Sequence, residues 1–146
     1  ANMKPIFPIT DKKLIESYIP HRSPIVMVDK LIDFTENYII GGLKVLEDNI
    51  FVEDNVLKEP GLIEHMAQTV ALHSGYQFSL QDGKALTGYI GSIKKIQIER
   101  LPQIHEEIET EVTIIQEYLG ITLVEIVSKC NGNIIATGEL KTVIAN

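Results

Sequence analysis

The stretch Gly61–Leu80, GLIEHMAQTVALHSGYQFSL, decides the fold of this chain. Its apolar residues recur at helical spacing over almost the whole circumference, whereas a surface helix carries them in a single stripe. They are Leu62, Ile63, Met66, Ala67, Val70, Ala71 and Leu72. A helix that is apolar on nearly every side has to be covered by other elements, so this stretch predicts a long helix inside the protein.

Downstream of the long helix the sequence is typical of β-strands. Isoleucines mark a first strand at residues 93–98, and residues 107–114 alternate between a glutamate-rich and an apolar face. Asn131-Gly132 then supplies two residues that tolerate the positive φ angles of a type I′ turn. This turn predicts a hairpin between the strands on either side, Ile121–Cys130 and Asn133–Ile144.

Upstream of the long helix the sequence predicts one short helix and two strands. Thr10 or Asp11 is a suitable cap for the short helix, which should end before Pro20 because the residue preceding a proline disfavours helical geometry. The two strands are expected at Ile25–Phe34 and Tyr38–Leu46.

The predicted order is a short helix, two strands, one long helix and a series of antiparallel strands, which places the chain in the α+β class. A curved antiparallel sheet wrapped around one central helix buries both elements, as in the hotdog fold. No internal repeat or flexible linker divides the chain, so we expect a single domain over residues 3–146. Ala1-Asn2, ahead of Met3, is typical of an expression tag and is left out of that domain.

Charge and cysteine content exclude several classes of function. The net charge of −7 argues against a nucleic-acid binder, which needs a concentrated basic surface to neutralise phosphates. The apolar runs are far shorter than the ~20 residues that span a bilayer, so we expect no membrane segment. Cys130 is the single cysteine and we find no secretory signal pattern, so we expect a reducing, cytoplasmic setting.

The first segment that suggests chemistry is Ile19-Pro20-His21-Arg22-Ser23-Pro24, in which two prolines bracket a histidine and an arginine. The prolines stiffen the backbone, so the histidine loses little entropy when it adopts a working orientation. Histidine titrates near neutral pH, which suits His21 to proton transfer. Taken alone, this segment favours a surface turn with an incidental histidine.

The second segment, Glu59–Gln68, opens the long helix with Pro60-Gly61. We expect Gly61 to leave its N–H open to a ligand at the helix end, where negative charge on a carbonyl oxygen is stabilised. Glu64 follows in the first turn, and burial on an apolar helix would raise its pKa toward the value that a general acid needs. The alternative is a solvent-exposed carboxylate that interacts with the helix dipole.

These two segments carry a resemblance to a known family. Ile19–Asp29, IPHRSPIVMVD, resembles the Leu-Pro-His-Arg-x-Pro-hydrophobic-Val-Asp stretch of β-hydroxyacyl-acyl carrier protein dehydratases of fatty acid synthesis, with His21 in place of the family's histidine. Pro60–Gln68 resembles that family's Pro-Gly-hydrophobic-Glu-Ala-Met-Ala-Gln helix start, with Glu64 in place of its glutamate. A weaker resemblance continues through Gly91–Lys95.

The resemblance implies that the protein removes water from β-hydroxyacyl thioesters on acyl carrier protein, without a metal or a cofactor. His21 would take the α-proton, Glu64 would protonate the departing hydroxyl, and Gly61, Arg22 and Gln68 would bind the substrate. In the resembling family the histidine and glutamate of one site come from different subunits. The expected assembly is therefore a homodimer or a higher assembly of dimers, which also covers an exposed edge strand.

Mostly small residues continue the helix face that bears Glu64: Ala67, Gln68, Ala71, Ser74 and Gly75. Side chains at this spacing lie one above the other on a helix. The face therefore has room for an acyl chain or for another helix.

Three departures from the family pattern point to a specialised relative. Glu53–Lys58 replaces a His-Phe-Pro loop, Pro102–Glu106 replaces a Pro-Gly-Asp corner, and His65 replaces a small alanine. With these changes the chain resembles the divergent dehydratase relatives of aryl polyene or other specialised lipid clusters more than the housekeeping enzyme. The identity of the acyl group stays open.

Several other titratable residues have a weaker claim to function. Three histidines lack the spacing of a metal site and are expected to pack or to lie at the surface: His65, His73 and His105. Four basic residues are candidates for contact with an acidic carrier protein: Arg22, Lys94, Lys95 and Arg100. Solvated strand ends are the alternative interpretation of these basic residues.

Two other functions compete with the dehydratase. A hotdog thioesterase would use a helix carboxylate such as Glu64 to activate water, but it leaves the segment around His21 without a role. A non-catalytic subunit that pairs with an active dehydratase is the second alternative, which the replaced loop favours. The presence of both His21 and Glu64 argues against it.

Overall fold

A computed structural model of the chain describes residues 6–81 and 89–144. Two helices and eight strands follow one another there: α1 (Lys12–Tyr18), β1 (Lys30–Thr35), β2 (Tyr38–Lys44), β3 (Val52–Glu53), β4 (Val56–Leu57), α2 (Glu59–Leu80), β5 (Tyr89–Ile98), β6 (Glu107–Tyr118), β7 (Ile121–Cys130) and β8 (Asn133–Ile144). Ala1-Asn2, which we attributed to an expression tag, lies outside the described residues. Among the described residues, no helix combines the length and the hydropathy that a membrane crossing needs.

Six strands form one antiparallel sheet in the order β1-β2-β6-β7-β8-β5, while β3 and β4 pair separately. α2 packs against β2 and β6, and α1 packs on α2. The side chains buried along α2 include Leu62, Met66, Val70, Leu72 and Tyr76. A single long helix covered by one antiparallel sheet is the predicted hotdog arrangement, and the structure confirms it.

The strands that follow α2 lie where the sequence predicts them because their patterns are local, although β5 begins earlier, at Tyr89, and β6 ends later, at Tyr118. β7 and β8 have the predicted bounds, and Asn131 and Gly132 adopt φ angles of 52° and 78° at the turn between them. On β6, Ile108 and Val112 are buried while the glutamates beside them are exposed. A second hairpin turn, at Leu119-Gly120, also has two positive φ angles and was not singled out from the sequence.

α1 begins and ends where the sequence predicts. The carboxylate of Asp11 accepts hydrogen bonds from the backbone N–H groups of Lys13 and Leu14, at 2.9 and 3.2 Å, and so caps the helix. The helix ends at Tyr18, ahead of Pro20.

The two strands predicted ahead of α2 are shorter than expected. The strand expected at Ile25–Phe34 begins only at Lys30, because residues 25–27 bond to side chains of α2 instead of to a strand. The strand expected at Tyr38–Leu46 ends at Lys44, because the next residue bonds to the loop ahead of β6.

The small-residue face of α2 meets α1 at Gly75. A Cβ built at Gly75 would overlap the carbonyl oxygen of Tyr18, the last residue of α1. Gln68 and Ala71 on the same face are also buried. At Gly75 the face therefore takes another helix, one of the two predicted uses, whereas Ala67 lines a small pocket with Ile93 and Leu140.

Candidate active site

His21 and Glu64 face each other across a short gap. His21 Nε2 lies 3.6 Å from Glu64 Oε2, and each side chain is 30% exposed. His21 Nδ1 is buried without a hydrogen-bond partner among the described residues, so proton exchange with a ligand has to pass through Nε2. Both residues belong to one chain. This differs from the expectation, carried over from the resemblance, that two subunits supply them.

Arg22 holds the end of α1 and the backbone of His21. Its Nη1 donates to the carbonyl oxygens of Glu16 and Ile19 at 2.9 Å each and to that of His21 at 2.6 Å. Carbonyl groups at the end of a helix lack intrahelical partners, and a nearby arginine satisfies them. We expected Arg22 to bind substrate. Its Nη1 is engaged with the chain's own backbone, while the side chain as a whole is 59% exposed.

Gln68 orients the carboxylate of Glu64 through a hydrogen bond. Its Nε2 donates to Glu64 Oε2 at 2.8 Å and to the carbonyl oxygen of Ile25 at 2.8 Å, while its Oε1 accepts from the N–H of Met27 at 2.6 Å. The side chain is completely buried. We expected Gln68 to bind substrate, but both of its N–H groups are already bonded inside the protein. Gln68 instead links Glu64 to the segment that follows His21.

Gly61 serves packing at the start of α2. Its N–H donates to the carbonyl oxygen of Lys58 at 2.9 Å, as the N–H of Leu62 does at 3.2 Å. The expectation of an open N–H at Gly61 is therefore wrong. A Cβ at this position would come within 2.5 Å of Phe51 Cβ and 2.7 Å of Leu57 Cδ1, so only glycine fits without displacing its neighbours.

His65 follows Glu64 and is completely buried. Its Nδ1 lies 2.7 Å from the carbonyl oxygen of Met27, and its Nε2 lies 2.8 Å from Thr110 Oγ1. Burial lowers the pKa of His65 to about 4. From the sequence, His65 was expected to pack or to lie at the surface. The signal that pointed to it was the replacement of a small residue by a histidine directly after Glu64.

The other two histidines lie apart from this pair. His73 is buried, donates from Nε2 to the carbonyl oxygen of Thr35 at 2.9 Å, and has its pKa lowered by burial. His105 is exposed, with Nε2 3.3 Å from a carboxylate oxygen of Glu47. In the described part of the chain, no three His, Cys, Asp or Glu side chains are placed to hold a metal ion.

The two loops that depart from the family pattern pack on each other. The first forms the hairpin of β3 and β4, with positive φ angles at Asp54 and Asn55. The N–H of Leu57 donates to the carbonyl oxygen of Pro102 at 2.8 Å, and the N–H of Ile104 donates to that of Asn55 at 3.0 Å. The altered loop and the altered corner therefore form one unit.

The basic residues proposed for carrier contact differ in their surroundings. Arg100 donates to both carboxylate oxygens of Glu106 at 2.9 Å, an ion pair that lowers the pKa of Glu106. Arg22 binds its own backbone. Lys94 and Lys95 are exposed on β5, so they are the members of the predicted set that a partner meets most readily.

Fold and site together define a hotdog-fold protein with a histidine–glutamate pair beside its central helix. The sequence model of the ApeP-like family, described as ApeP dehydratase, matches residues 13–146. The chain belongs to this family of dehydratases. The predicted reaction class, a hydro-lyase, is thereby confirmed.

Two curated relatives and one solved structure are similar over most of the chain. The chain is 28% identical over 143 residues to the 3-hydroxyacyl-acyl-carrier-protein dehydratase FabZ of Vibrio cholerae, covering 90% of this chain and 93% of the relative. It is 26% identical over 136 residues to FabZ of Shewanella pealeana, covering 89% of each. The structure of the dehydratase heterocomplex ApeI:P from Xenorhabdus doucetiae aligns with a TM-score of 0.78 and 20% identity, over 90% of this chain and 91% of that one.

Proposed function

We propose that this protein removes water from β-hydroxyacyl thioesters carried on acyl carrier protein and yields trans-2-enoyl thioesters, in fatty acid or related lipid or polyene biosynthesis. The observation that carries the proposal is the separation of 3.6 Å between His21 Nε2 and Glu64 Oε2. At this separation both groups reach the α-proton and the β-hydroxyl of one bound acyl group. The names of the FabZ relatives support the choice of substrate.

In the proposed reaction His21 Nε2 accepts the α-proton, and the electron pair of the broken C–H bond forms the new C=C bond. The Cβ–O bond breaks, and Glu64 donates the proton with which the hydroxyl leaves as water. His21 is then protonated and Glu64 ionised. The two atoms are 3.6 Å apart, so one proton passed from Nε2 to Oε2 through a bridging water restores the starting state. Each group is expected to contribute about 10²–10⁴-fold to the rate.

Protons and electrons balance in this reaction with the two side chains alone, so the proposal includes no metal and no cofactor. The N–H of Gly61 takes no part in it, because that group is bonded to the carbonyl oxygen of Lys58. Arg22 and Gln68 act on His21 and Glu64 through the protein and not on the substrate.

The proposed assembly is a homodimer, or a higher assembly of dimers. β5 is an edge of the described sheet, pairs only with β8 there, and is exposed along residues 91–95. An open strand edge is stabilised by pairing with the same edge of a second copy. A different hotdog chain is the alternative partner, since the Xenorhabdus structure is described as a heterocomplex. Native mass spectrometry of the purified chain distinguishes two copies from one.

The proposed setting is the cytoplasm, and the proposed carrier contact is electrostatic. Cys130, the single cysteine, is a buried free thiol, as expected in a reducing compartment. Lys94 and Lys95 offer exposed positive charge to an acidic carrier protein. Strands pair through their backbones and their side chains project from the faces of the sheet, so pairing of the β5 edge with a second copy is compatible with this contact.

Mass spectrometry of a β-hydroxyacyl carrier-protein thioester tests the proposed function. The wild type should convert it to a product lighter by one water, whereas His21→Ala and Glu64→Gln should leave it unchanged. Release of the free carrier thiol would replace the proposal with a thioesterase. No reaction by a folded wild type with several acyl groups would favour a non-catalytic partner subunit.

A further inference from the structure

The segment that follows His21 is held by side chains of α2. Both backbone polar groups of Met27 form hydrogen bonds with α2 side chains. The carbonyl oxygen bonds to His65 Nδ1 at 2.7 Å, and the N–H bonds to Gln68 Oε1, one helical turn further on, at 2.6 Å. Met27, His65 and Gln68 are all buried. The α2 side chains therefore take the place that a neighbouring strand would have at this residue.

Hydrogen-bond chemistry fixes the proton position on His65. A carbonyl oxygen only accepts, so Nδ1 carries the hydrogen that is donated to Met27. Nε2 of the neutral ring then accepts from the hydroxyl of Thr110, which in turn accepts from the hydroxyl of Ser128 at 2.6 Å. Thr110 and Ser128 are completely buried, so the ring is anchored in the sheet on one side and to the active-site segment on the other.

We propose that His65 is a positioning residue of the dehydration, which sets the separation of His21 and Glu64 by fixing the segment at Met27 against α2. His65 directly follows Glu64 on the helix, and Gln68 bonds both to Glu64 and to Met27. A shift of Met27 therefore alters the distance between the two reacting groups. The inference rests on the proposed function and adds a residue that does not touch the substrate.

Three variants separate positioning from a purely structural role. His65→Phe keeps a ring of similar size and binds neither neighbour. His65→Asn keeps a side-chain N–H within reach of the carbonyl oxygen of Met27. His73→Phe is the matched control, because His73 is a second buried histidine of α2 whose bond to a backbone carbonyl oxygen, that of Thr35, is lost in the same way, away from His21 and Glu64.

We expect His65→Phe to lower kcat by about 10²-fold with little change in KM, since a misplacement of about 1 Å has an effect of this size. His65→Asn should recover much of the lost kcat, and His73→Phe should lower Tm while kcat stays near the wild-type value. The proposal is overturned if His65→Phe retains kcat, or if all three variants lose kcat in proportion to Tm.

Nitrogen-15 NMR of the wild-type imidazoles gives a test that needs neither activity nor a folded His65→Phe protein. The signals that disappear in His65→Asn should show a neutral ring protonated on Nδ1, and an Nε2-protonated ring would overturn the proposal. The two proposals fail in different ways. A wild type inactive toward every β-hydroxyacyl thioester rejects the proposed function, whereas an active wild type with an insensitive His65→Phe variant rejects only the positioning role.

Discussion

The carbonyl oxygen of Tyr18 lies directly against the α-carbon of Gly75. A Cβ at Gly75 would overlap this oxygen and come within 3.1 Å of the Cα of Tyr18. The contact joins the end of α1, three residues before His21, to the second half of α2. The placement of His21 therefore depends on the absence of a side chain at residue 75.

We expect Gly75→Ala to lower the free energy of unfolding by about 1–3 kcal/mol and to lower kcat as well. α1 has to move to admit the methyl group, and His21 moves with it. Urea unfolding and steady-state kinetics measure the two effects. Gly91→Ala is the matched control, because its Cβ would meet Leu140 at an ordinary contact distance of 3.6 Å. A stable, fully active Gly75→Ala protein would contradict the link between this contact and His21.

Arg22 provides a second prediction, because it bonds to three backbone carbonyl groups. Removing it in Arg22→Ala should reduce stability by about 1 kcal/mol and leave KM nearly unchanged, since the guanidinium acts on α1 and not on substrate. Arg22→Lys should be intermediate, because an ammonium does not match the fork of a guanidinium. Thermal unfolding and kinetics check this prediction. A raised KM at unchanged Tm would return Arg22 to substrate binding.

The features predicted correctly from the sequence are those that a local pattern determines. The hairpin at Asn131-Gly132 needs only two residues that tolerate positive φ, and α2 needs only its own apolar spacing. The predicted start of β1 was wrong because the backbone of residues 25–27 is bonded to Gln68 and His65, which lie far away in the sequence.

In the candidate site, too, the residue types were recognised from the sequence, but the contacts between distant residues were not. His21 and Glu64 were found from the residue types and from the resemblance, but their meeting within one chain depends on how α1 packs on α2. Gly61, Arg22 and Gln68 were predicted to bind the substrate. The sequence does not reveal that backbone carbonyl groups, and for Gln68 also Glu64, are the acceptors that the fold supplies to them.

The buried His65 predicts a loss of stability in acid. Its pKa falls from the ordinary 6.5 to about 4 on folding, because burial disfavours the charged ring, while Asp29 and Lys30 act on it in opposite directions. As the pH falls below 6.5 the unfolded state takes up the proton first. Stability should therefore decrease between 6.5 and about 4, by about 3 kcal/mol in total.

Urea unfolding of the wild type and of His65→Asn at several pH values in this range checks the prediction. The slope of stability against pH should become smaller in His65→Asn, with a remainder from His73, whose pKa burial also lowers. His105→Asn is the control, because His105 is exposed, and its slope should match that of the wild type. Equal slopes in all three proteins would mean that His65 is not buried as a neutral ring.

The last prediction concerns the two exposed lysines of β5, Lys94 and Lys95. If they meet an acidic carrier protein, Lys94→Glu and Lys95→Glu together should raise KM for a carrier-bound substrate by about 2-fold to 30-fold, since each of the two exposed ion pairs is worth about 0.2–1 kcal/mol. kcat should not change, because neither lysine acts on the reacting atoms. The same acyl group on pantetheine has no protein surface to meet, so its KM should not change either.

Salt and a control variant separate carrier contact from indirect effects. The difference between wild type and double variant should shrink as ionic strength rises, because exposed charges are screened. Arg100→Gln should leave KM for the carrier-bound substrate unchanged, since Arg100 is already paired with Glu106. If Arg100→Gln raises KM and the double lysine variant does not, the carrier meets the Arg100–Glu106 pair, and the exposed edge of β5 is left to pairing with a second subunit.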